Sequence, residues 1–284
     1  MKLSLCNEVI RELVFDRQCA LAASLGYQGL ELAPFTLAQN PENLTHAQAR
    51  LFANIARDHG LEISSLHWLL VQPEGLSLVS ADAQLRTRTL GLLHHLIDFA
   101  AACGAQFLVH GSPKQRSPEA GQTVMQAQDL LQAALTELAP HAESAGVIYC
   151  LEPLGVFETR VINKVSEAAA LIDAIGSPAL RTMLDVSAAS HSETQPIEQV
   201  LAQYLASGHI AHIQVNDKNR RGPGQGNTPI APMLRVLREA QYSGWIAVEP
   251  FEYLPDGPGC AAFSAGYMKG LLGALTSEMK AIGV

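Results

Sequence analysis

The sequence has little charge and few aromatic residues. Charged side chains make up 16% of the 284 residues and aromatic ones 6%, whereas hydrophobic residues reach 48%. Disordered chains are rich in charge and poor in apolar residues, so this composition excludes intrinsic disorder. Lys and Arg number 19 against 27 Asp and Glu, a formal net charge of −8, and no basic run occurs. Because nucleic-acid binding depends on basic side chains that neutralise phosphates, we expect no nucleic-acid partner.

Paired cysteines and long apolar runs are also absent. The cysteines are odd in number, widely spaced and without a CxxC pair, which excludes a disulfide framework and a zinc knuckle and predicts a reducing compartment. The apolar stretch before Asn7 is too short for a signal peptide. No segment reaches the roughly 18 uninterrupted apolar residues of a membrane span. We therefore expect a cytoplasmic protein without a membrane partner.

Short aliphatic runs alternate with longer helical patterns at intervals of roughly 30 to 40 residues, which is typical of βαβ units. Helix starts are indicated by Thr45 with Gln48 as a capping box, by Ser117 before Pro118, and by Thr228 before Pro229. Glycines that close helices are predicted at Gly60, Gly104, Gly146, Gly176 and Gly244. The predicted strands are Lys2 to Cys6, Gly29 to Ala33, Glu62 to His67, Gln106 to His110, Val147 to Glu152, Arg181 to Asp185, Ile210 to Val215 and Trp245 to Glu249.

Eight βα units in one chain of this length predict an α/β fold, a single (β/α)8 TIM barrel over residues 1–284. No Pro/Ser/Gly-rich linker divides the chain into two domains. The alternative is a doubly wound sheet. That fold carries a glycine-rich phosphate-binding turn after an early strand, and the segment Cys6-Asn7-Glu8 has none.

Three predicted strands end in a carboxylate: Glu152, Asp185 and Glu249 each follow an apolar run. Active sites of TIM barrels lie at these carboxyl ends of the strands. Unpaired carboxylates are strongly disfavoured in a partly buried barrel mouth, so a shared divalent cation is the simplest explanation. The alternative is that each carboxylate caps a following helix or pairs with a neighbouring Lys or Arg.

Strand alternation groups further polar residues. His67 and His110 end the third and fourth strands on the parity that we assign to the barrel interior, where an imidazole can donate to substrate oxygens or bind a metal. On the seventh strand His212 and Gln214 share one face. Trp68 has the opposite parity from His67, so we expect it to pack under the helices.

The loop after the fourth strand carries Lys114 and Arg116. These cations would pair with an anionic group of a substrate at the barrel mouth. A solvated loop that only precedes a helix is the alternative.

Several motifs stand in order at successive strand ends. Leu151-Glu152-Pro153-Leu154 is followed by Phe157-Glu158, then come Leu184-Asp185-Val186, Asn219 to Gly226 (NRRGPGQG) and Val248-Glu249-Pro250-Phe251. Together they resemble the xylose isomerase-like TIM barrel family of sugar isomerases and epimerases, and within it the D-tagatose/D-psicose 3-epimerases. The resemblance covers essentially the whole chain.

The resemblance implies a sugar substrate and a divalent cation, with Mn²⁺ preferred and Mg²⁺ or Co²⁺ as alternatives. Glu152, Asp185, Gln214 and Glu249 match the metal ligands, and Glu152 and Glu249 also match the acid/base pair that acts through an enediolate. We predict that Gln214 supplies its amide oxygen and that His212 lies one layer deeper as its hydrogen-bond partner. The predicted substrate-binding residues are His67, His110, Glu158, Arg220, His212 and Lys114.

The chain departs from the family pattern at three places. Gln214 stands where a His is usual, Ala188 where a substrate-binding His is usual, and Gly155-Val156 where Asn-Arg is frequent. A substrate other than a plain free hexulose is therefore expected. A lyase on the same metal site, an endonuclease IV-like metal hydrolase and a catalytically inert barrel remain alternatives. We also expect a homo-oligomer.

Overall fold

The chain folds into a closed barrel of eight parallel strands in the order β1 to β8, with β8 paired back to β1. The computed structural model describes residues 1–282, with side chains to Leu275. This architecture confirms the predicted (β/α)8 fold. The strands are β1 Lys2–Cys6, β2 Gly29–Leu32, β3 Glu62–Leu66, β4 Phe107–His110, β5 Ile148–Leu151, β6 Leu180–Asp185, β7 Ile210–Val215 and β8 Trp245–Val248.

Helices surround the barrel, and none of those in the described part of the chain is long and apolar enough to cross a membrane. Two 3₁₀ turns, Asn7–Ile10 and Pro41–Asn43, follow β1 and precede the third helix. The α-helices are α1 Phe15–Leu25, α2 Pro34–Leu37, α3 His46–Asp58, α4 Ala83–Cys103, α5 Val124–Ala145, α6 Val165–Ile175, α7 Val186–Ser192, α8 Ile197–Ala206, α9 Ile230–Glu239 and α10 Gly257–Ile282.

Most helix-boundary predictions are confirmed. Thr45 and Gln48 form a reciprocal capping box at the start of α3, and Gly104, Gly146 and Gly176 end α4, α5 and α6 in the left-handed conformation. Gly60, also left-handed, directly follows the residue that caps α3.

Two boundary predictions are wrong, and a third, the start of α9, is correct in position but not in its capping residue. Helix α5 begins after Thr123, because Thr123 forms the capping box, whereas the Ser117 hydroxyl donates to the Pro113 carbonyl inside the preceding loop. The Thr228 hydroxyl donates to Asp217 and does not cap α9. Helix α9 ends at Glu239, so Gly244 does not close it and instead precedes β8.

The strand ends place the polar residues. Strands β3, β5 and β8 stop at Leu66, Leu151 and Val248, so His67, Glu152 and Glu249 are each the first residue beyond a strand. Pro153 and Pro250 follow the two glutamates. Proline has no N–H to donate to a neighbouring strand, so pairing ends there and the chain turns over the barrel mouth.

The barrel interior is layered. A small apolar cluster of Val109, Cys150 and Met183 is packed with Phe107 and Ile148. Towards the carboxyl ends of the strands, residues of the same parities are polar. These fully or almost fully buried side chains are Cys6, Glu31, Ser65, His67, Glu152, Asp185, His212, Gln214 and Glu249. The apolar residues between strands and helices form the main hydrophobic core.

Candidate active site

Three carboxylates converge at the carboxyl ends of β5, β6 and β8. Glu152, Asp185 and Glu249 are 5%, 2% and 1% exposed. Glu152 and Asp185 line a cavity together with Glu158, Arg220, Trp68 and Phe251. Glu249 reaches the cavity wall through its hydrogen bond with Trp68. The predicted placement of all three carboxylates at one mouth is therefore observed.

Asp185 is held by backbone and amide donors. One carboxylate oxygen accepts from the Ala188 N–H at 2.7 Å and caps α7, and the other accepts from Asn216 Nδ2 at 2.6 Å. Asn216 also donates to the Glu249 carbonyl at 2.9 Å and accepts from the Ser187 N–H at 2.7 Å. Asn216 therefore ties together the ends of β6, β7 and β8. The helix-capping alternative is correct for Asp185, which uses one oxygen for it.

Glu249 has one engaged oxygen and one free oxygen. Oε1 lies 2.9 Å from both His67 Nδ1 and Trp68 Nε1, which donates to it. Oε2 is buried and has no hydrogen-bond partner among the described residues. Glu8 Oε2 lies 2.9 Å from the other His67 nitrogen. Burial lowers the pKa of His67, but Glu8 and Glu31 outweigh it and raise the pKa well above its usual value.

This geometry corrects the prediction that His67 donates directly to substrate, because both of its ring nitrogens are already occupied by carboxylates. It also corrects the prediction that Trp68 packs under the helices. Strand β3 ends at Leu66, and Trp68 adopts a left-handed φ of 50°, which turns its indole into the cavity. Side chains alternate between the two faces of a strand only as far as its last paired residue, so the strand pattern of β3 could not predict where the Trp68 side chain points.

Glu152 depends on the glycine opposite it. A Cβ on Gly111 would lie 1.7 Å from Glu152 Oε2, so only glycine leaves room for the carboxylate in this position. The backbone carbonyl of Glu152 accepts from Arg116 Nη2 at 2.6 Å. Arg116 is fully buried, and Lys114 is exposed and outside the cavity lining. The structure thus corrects the prediction of a cationic loop for an anionic substrate group.

His110 faces away from the barrel interior. Val109, on the opposite face of β4, belongs to the interior cluster, and Leu108, on the face of His110, belongs to the outer core. His110 Nδ1 lies 2.6 Å from the Tyr149 hydroxyl. Burial, aided by the charge of Arg116, lowers the pKa of His110 to about 3. The prediction of a substrate-binding His110 is therefore wrong in its assignment of the inward face.

Polar side chains of β2 and β7 meet inside the barrel. Gln214 Nε2 donates to Glu31 Oε1 at 2.6 Å, while Gln214 Oε1 is buried without a described partner. His212 Nε2 lies 2.7 Å from Glu31 Oε2, and the His212 ring is 5.4 Å from that of Phe107. His212 is thus deeper than Gln214, as predicted. Its partner is Glu31 and not Gln214, and it does not line the cavity as a substrate-binding residue would.

Glu31 and Glu8 were missed by the sequence reasoning. A charged residue between Leu30 and Leu32 is an available signal for Glu31, because a carboxylate inside an apolar strand needs partners. For Glu8 the sequence offers no comparable signal.

Glu152, Asp185 and Glu249 are three buried carboxylates that lie close enough to raise one another's pKa values. Burial raises the pKa of Glu152 well above its usual value, and Glu249 and Asp185 raise it further. Burial also raises the pKa of Asp185 to about 7 and that of Glu249 to about 8. Such a cluster can hold protons or a cation. Carboxylate and amide oxygens suit Mg²⁺ or Mn²⁺, and Gln214 Oε1 and Glu249 Oε2 are buried without a described partner, so the chemistry of these donors fits a divalent cation. Among the described residues, ligand atoms of Glu8, His67 and Glu249 also lie within 4.8 Å of one another.

Arg220 and Glu158 form the polar rim of the cavity. Arg220 Nη1 donates to Glu158 Oε1 at 3.2 Å. The guanidinium carbon lies 4.0 Å from the centre of the Phe251 ring and 5.5 Å from that of Phe157. The stacking holds the planar guanidinium at the cavity wall, where it can donate to a ligand.

Fold and site together define a class, a TIM barrel with a buried acidic site at the carboxyl ends of its strands. The chain belongs to the xylose isomerase-like TIM barrel family, whose sequence profile matches residues 19–269. The family resemblance inferred from the motifs is thereby confirmed.

The chain is similar to curated proteins named as an epimerase and an isomerase. A probable ketose 3-epimerase of Synechocystis sp. is 25% identical over 230 residues, covering 80% of this chain and 75% of the relative. A putative hydroxypyruvate isomerase of Streptomyces coelicolor is 26% identical over 266 residues, covering 89% and 90%. The solved structure of an L-ribulose 3-epimerase superposes with a TM-score of 0.83 at 18% identity, covering 100% of this chain and 99% of that one, which supports the fold.

Proposed function

We propose that this protein is a divalent-metal-dependent isomerase or epimerase of a keto-sugar or a derivative of one. The convergence of Glu152, Asp185 and Glu249 on one cavity, with Glu249 Oε2 and Gln214 Oε1 buried and partnerless, carries the proposal. The relatives are isomerases and epimerases by name, which supports the same class of reaction.

The proposed cation ligands are Glu152, Asp185, Gln214 and Glu249. Asp185 and Gln214 are register partners on adjacent strands, so their side chains leave β6 and β7 at the same level. A bound cation would supply the positive charge that stabilises an enediolate formed next to a substrate carbonyl. We propose Mn²⁺, with Mg²⁺ or Co²⁺ as alternatives, because the ligand set offers oxygens only.

Glu152 and Glu249 are the proposed acid/base pair. They come from β5 and β8, with β6 and β7 between them, so they approach the cavity from different sides. Their raised pKa values let each carboxyl hold or accept a proton near neutral pH. His67 and Trp68 keep Oε1 of Glu249 engaged, which holds the carboxylate in one orientation.

Substrate binding is assigned to the rim. Arg220 and Glu158 offer a donor and an acceptor to sugar hydroxyls, and Trp68 and Phe251 offer apolar surface to the carbon face. Ala188 lines the same cavity and leaves space where the family usually has His. This added space supports a substrate other than a plain free hexulose.

The experiment that tests the proposal combines Mn²⁺ titration with turnover. The metal-stripped protein is titrated calorimetrically with Mn²⁺ and then assayed on a panel of keto-sugars in D₂O. We expect Mn²⁺ binding that Asp185→Asn abolishes, and solvent deuterium at the epimerised or isomerised carbon. Glu252→Gln is the matched control, because Glu252 lies near Glu249 in sequence but is exposed and paired with Arg221.

Two outcomes would contradict the proposal. Mn²⁺ binding unaffected by Asp185→Asn would place the cation elsewhere. Release of water or carbon dioxide from the sugars would identify a lyase on the same site.

A further inference from the structure

The unusual feature of the barrel interior is Glu31, a carboxylate on β2 with no exposure to solvent. Each of its oxygens has partners. Oε1 accepts from Gln214 Nε2 at 2.6 Å and from Cys6 Sγ at 3.1 Å. Oε2 accepts from the Ser65 hydroxyl and lies 2.7 Å from His212 Nε2. Contacts on both oxygens hold the carboxylate in one orientation.

This carboxylate decides which way the amide of Gln214 points. An ionised carboxylate only accepts hydrogen bonds, whereas an amide has a donor end and an acceptor end. The NH₂ group of Gln214 must therefore face Glu31, and its oxygen must face away. That oxygen is the buried atom without a partner, on the residue in register with Asp185.

We propose that Glu31 is a positioning residue that fixes Gln214 with its amide oxygen directed at the cation site. The inference rests on the proposed function, since it assigns Gln214 the role of a ligand. It also explains how an amide can take the place of an imidazole at position 214. Only the oxygen end of an amide can bind a cation, so the amide must be oriented, and Glu31 on β2 supplies that orientation. A buried partner that orients a ligand typically changes metal affinity about 10- to 100-fold.

Glu31→Gln tests this role directly. The introduced amide can donate as well as accept, so the amide of Gln214 is no longer forced into one orientation. We expect the dissociation constant for Mn²⁺, measured by titration of the metal-stripped protein, to rise about 10- to 100-fold. Cys6→Ala is the control, because it removes a contact to the same carboxylate without changing its acceptor-only character. We expect that variant to bind Mn²⁺ within about twofold of the native protein.

A double-mutant cycle separates orientation from general damage to the core. Gln214→Ala removes the amide that Glu31 is proposed to orient. If Glu31 acts through Gln214, Glu31→Gln should change the dissociation constant for Mn²⁺ by no more than about twofold in the Gln214→Ala background. A purely structural role for Glu31 predicts the same loss of affinity in both backgrounds.

The outcomes distinguish this inference from the proposed function. If the native protein binds Mn²⁺ and Asp185→Asn abolishes binding, but Glu31→Gln leaves the dissociation constant unchanged, the positioning role is overturned and the metal site stands. A loss of Mn²⁺ affinity on Glu31→Gln that is equally large with and without the Gln214 amide overturns the positioning role as well. If the native protein binds no Mn²⁺, the proposed function fails and the inference fails with it.

Discussion

The buried carboxylates make the stability of the cation-free protein depend on pH. Asp185 has a pKa of about 7 in the fold against an ordinary value of 3.8. In the unfolded chain it loses its proton near pH 4, whereas the folded protein keeps the proton until about pH 7. The folded state therefore binds more protons over this range, and the free energy of unfolding falls as the pH rises through about 7.

The size of this effect follows from the shift at Asp185. Each pH unit between the two pKa values corresponds to about 1.4 kcal/mol, so Asp185 alone removes about 2 kcal/mol between about pH 5.5 and about pH 8.5. Glu249, with a pKa of about 8, and His67, with a raised pKa, act in the same direction. His110, with a pKa lowered to about 3, acts in the opposite direction up to about pH 7 and offsets part of the decline. A loss of 2 kcal/mol lowers the Tm of a chain of this size by about 4 to 8 °C.

Scanning calorimetry in EDTA at constant ionic strength measures how the free energy of unfolding declines between about pH 5.5 and about pH 8.5. Asp185→Asn should reduce this decline by about 2 kcal/mol, because the amide does not titrate. Saturating Mn²⁺ should abolish the decline, since a cation favours the ionised carboxylates. Stability of the cation-free native protein that stays constant or increases between these pH values would refute the reasoning.

Three further predictions concern the site. Glu152→Gln and Glu249→Gln should each lower kcat at least several hundred-fold with an unchanged circular dichroism spectrum, and near-normal turnover by either variant would exclude the two-carboxylate scheme. Gly111→Ala should lower kcat about 100-fold, because the added Cβ would displace the Glu152 carboxylate. Gly91→Ala is the control and should retain activity, because no atom lies within 4 Å of the added Cβ. Equal kcat values for the two variants would refute the steric argument. Arg220→Ala should raise KM for a sugar about tenfold with a smaller change in kcat, and an unaltered KM in steady-state kinetics would remove Arg220 from substrate binding.

Local chemistry was sufficient to predict much of the molecule from the sequence. Apolar runs of strand length, the capping box at Thr45 and the closing glycines are properties of neighbouring residues, so the barrel and most helix ends could be inferred from them. The carboxylates at 152, 185 and 249 were recognisable because a charge that ends an apolar run needs a partner.

Tertiary structure alone decided which side chains meet. A period of two defines two faces of a strand but not which face turns inward, and for this reason His110 was assigned to the wrong side. Trp68 enters the cavity only because its backbone leaves the strand geometry. Glu31 and Gln214 are 183 residues apart in the sequence. The closed barrel and the register of its strands bring Gln214 Nε2 to 2.6 Å from Glu31 Oε1. Such non-local contacts depend on the packing of all eight strands, and no local pattern in the sequence encodes them.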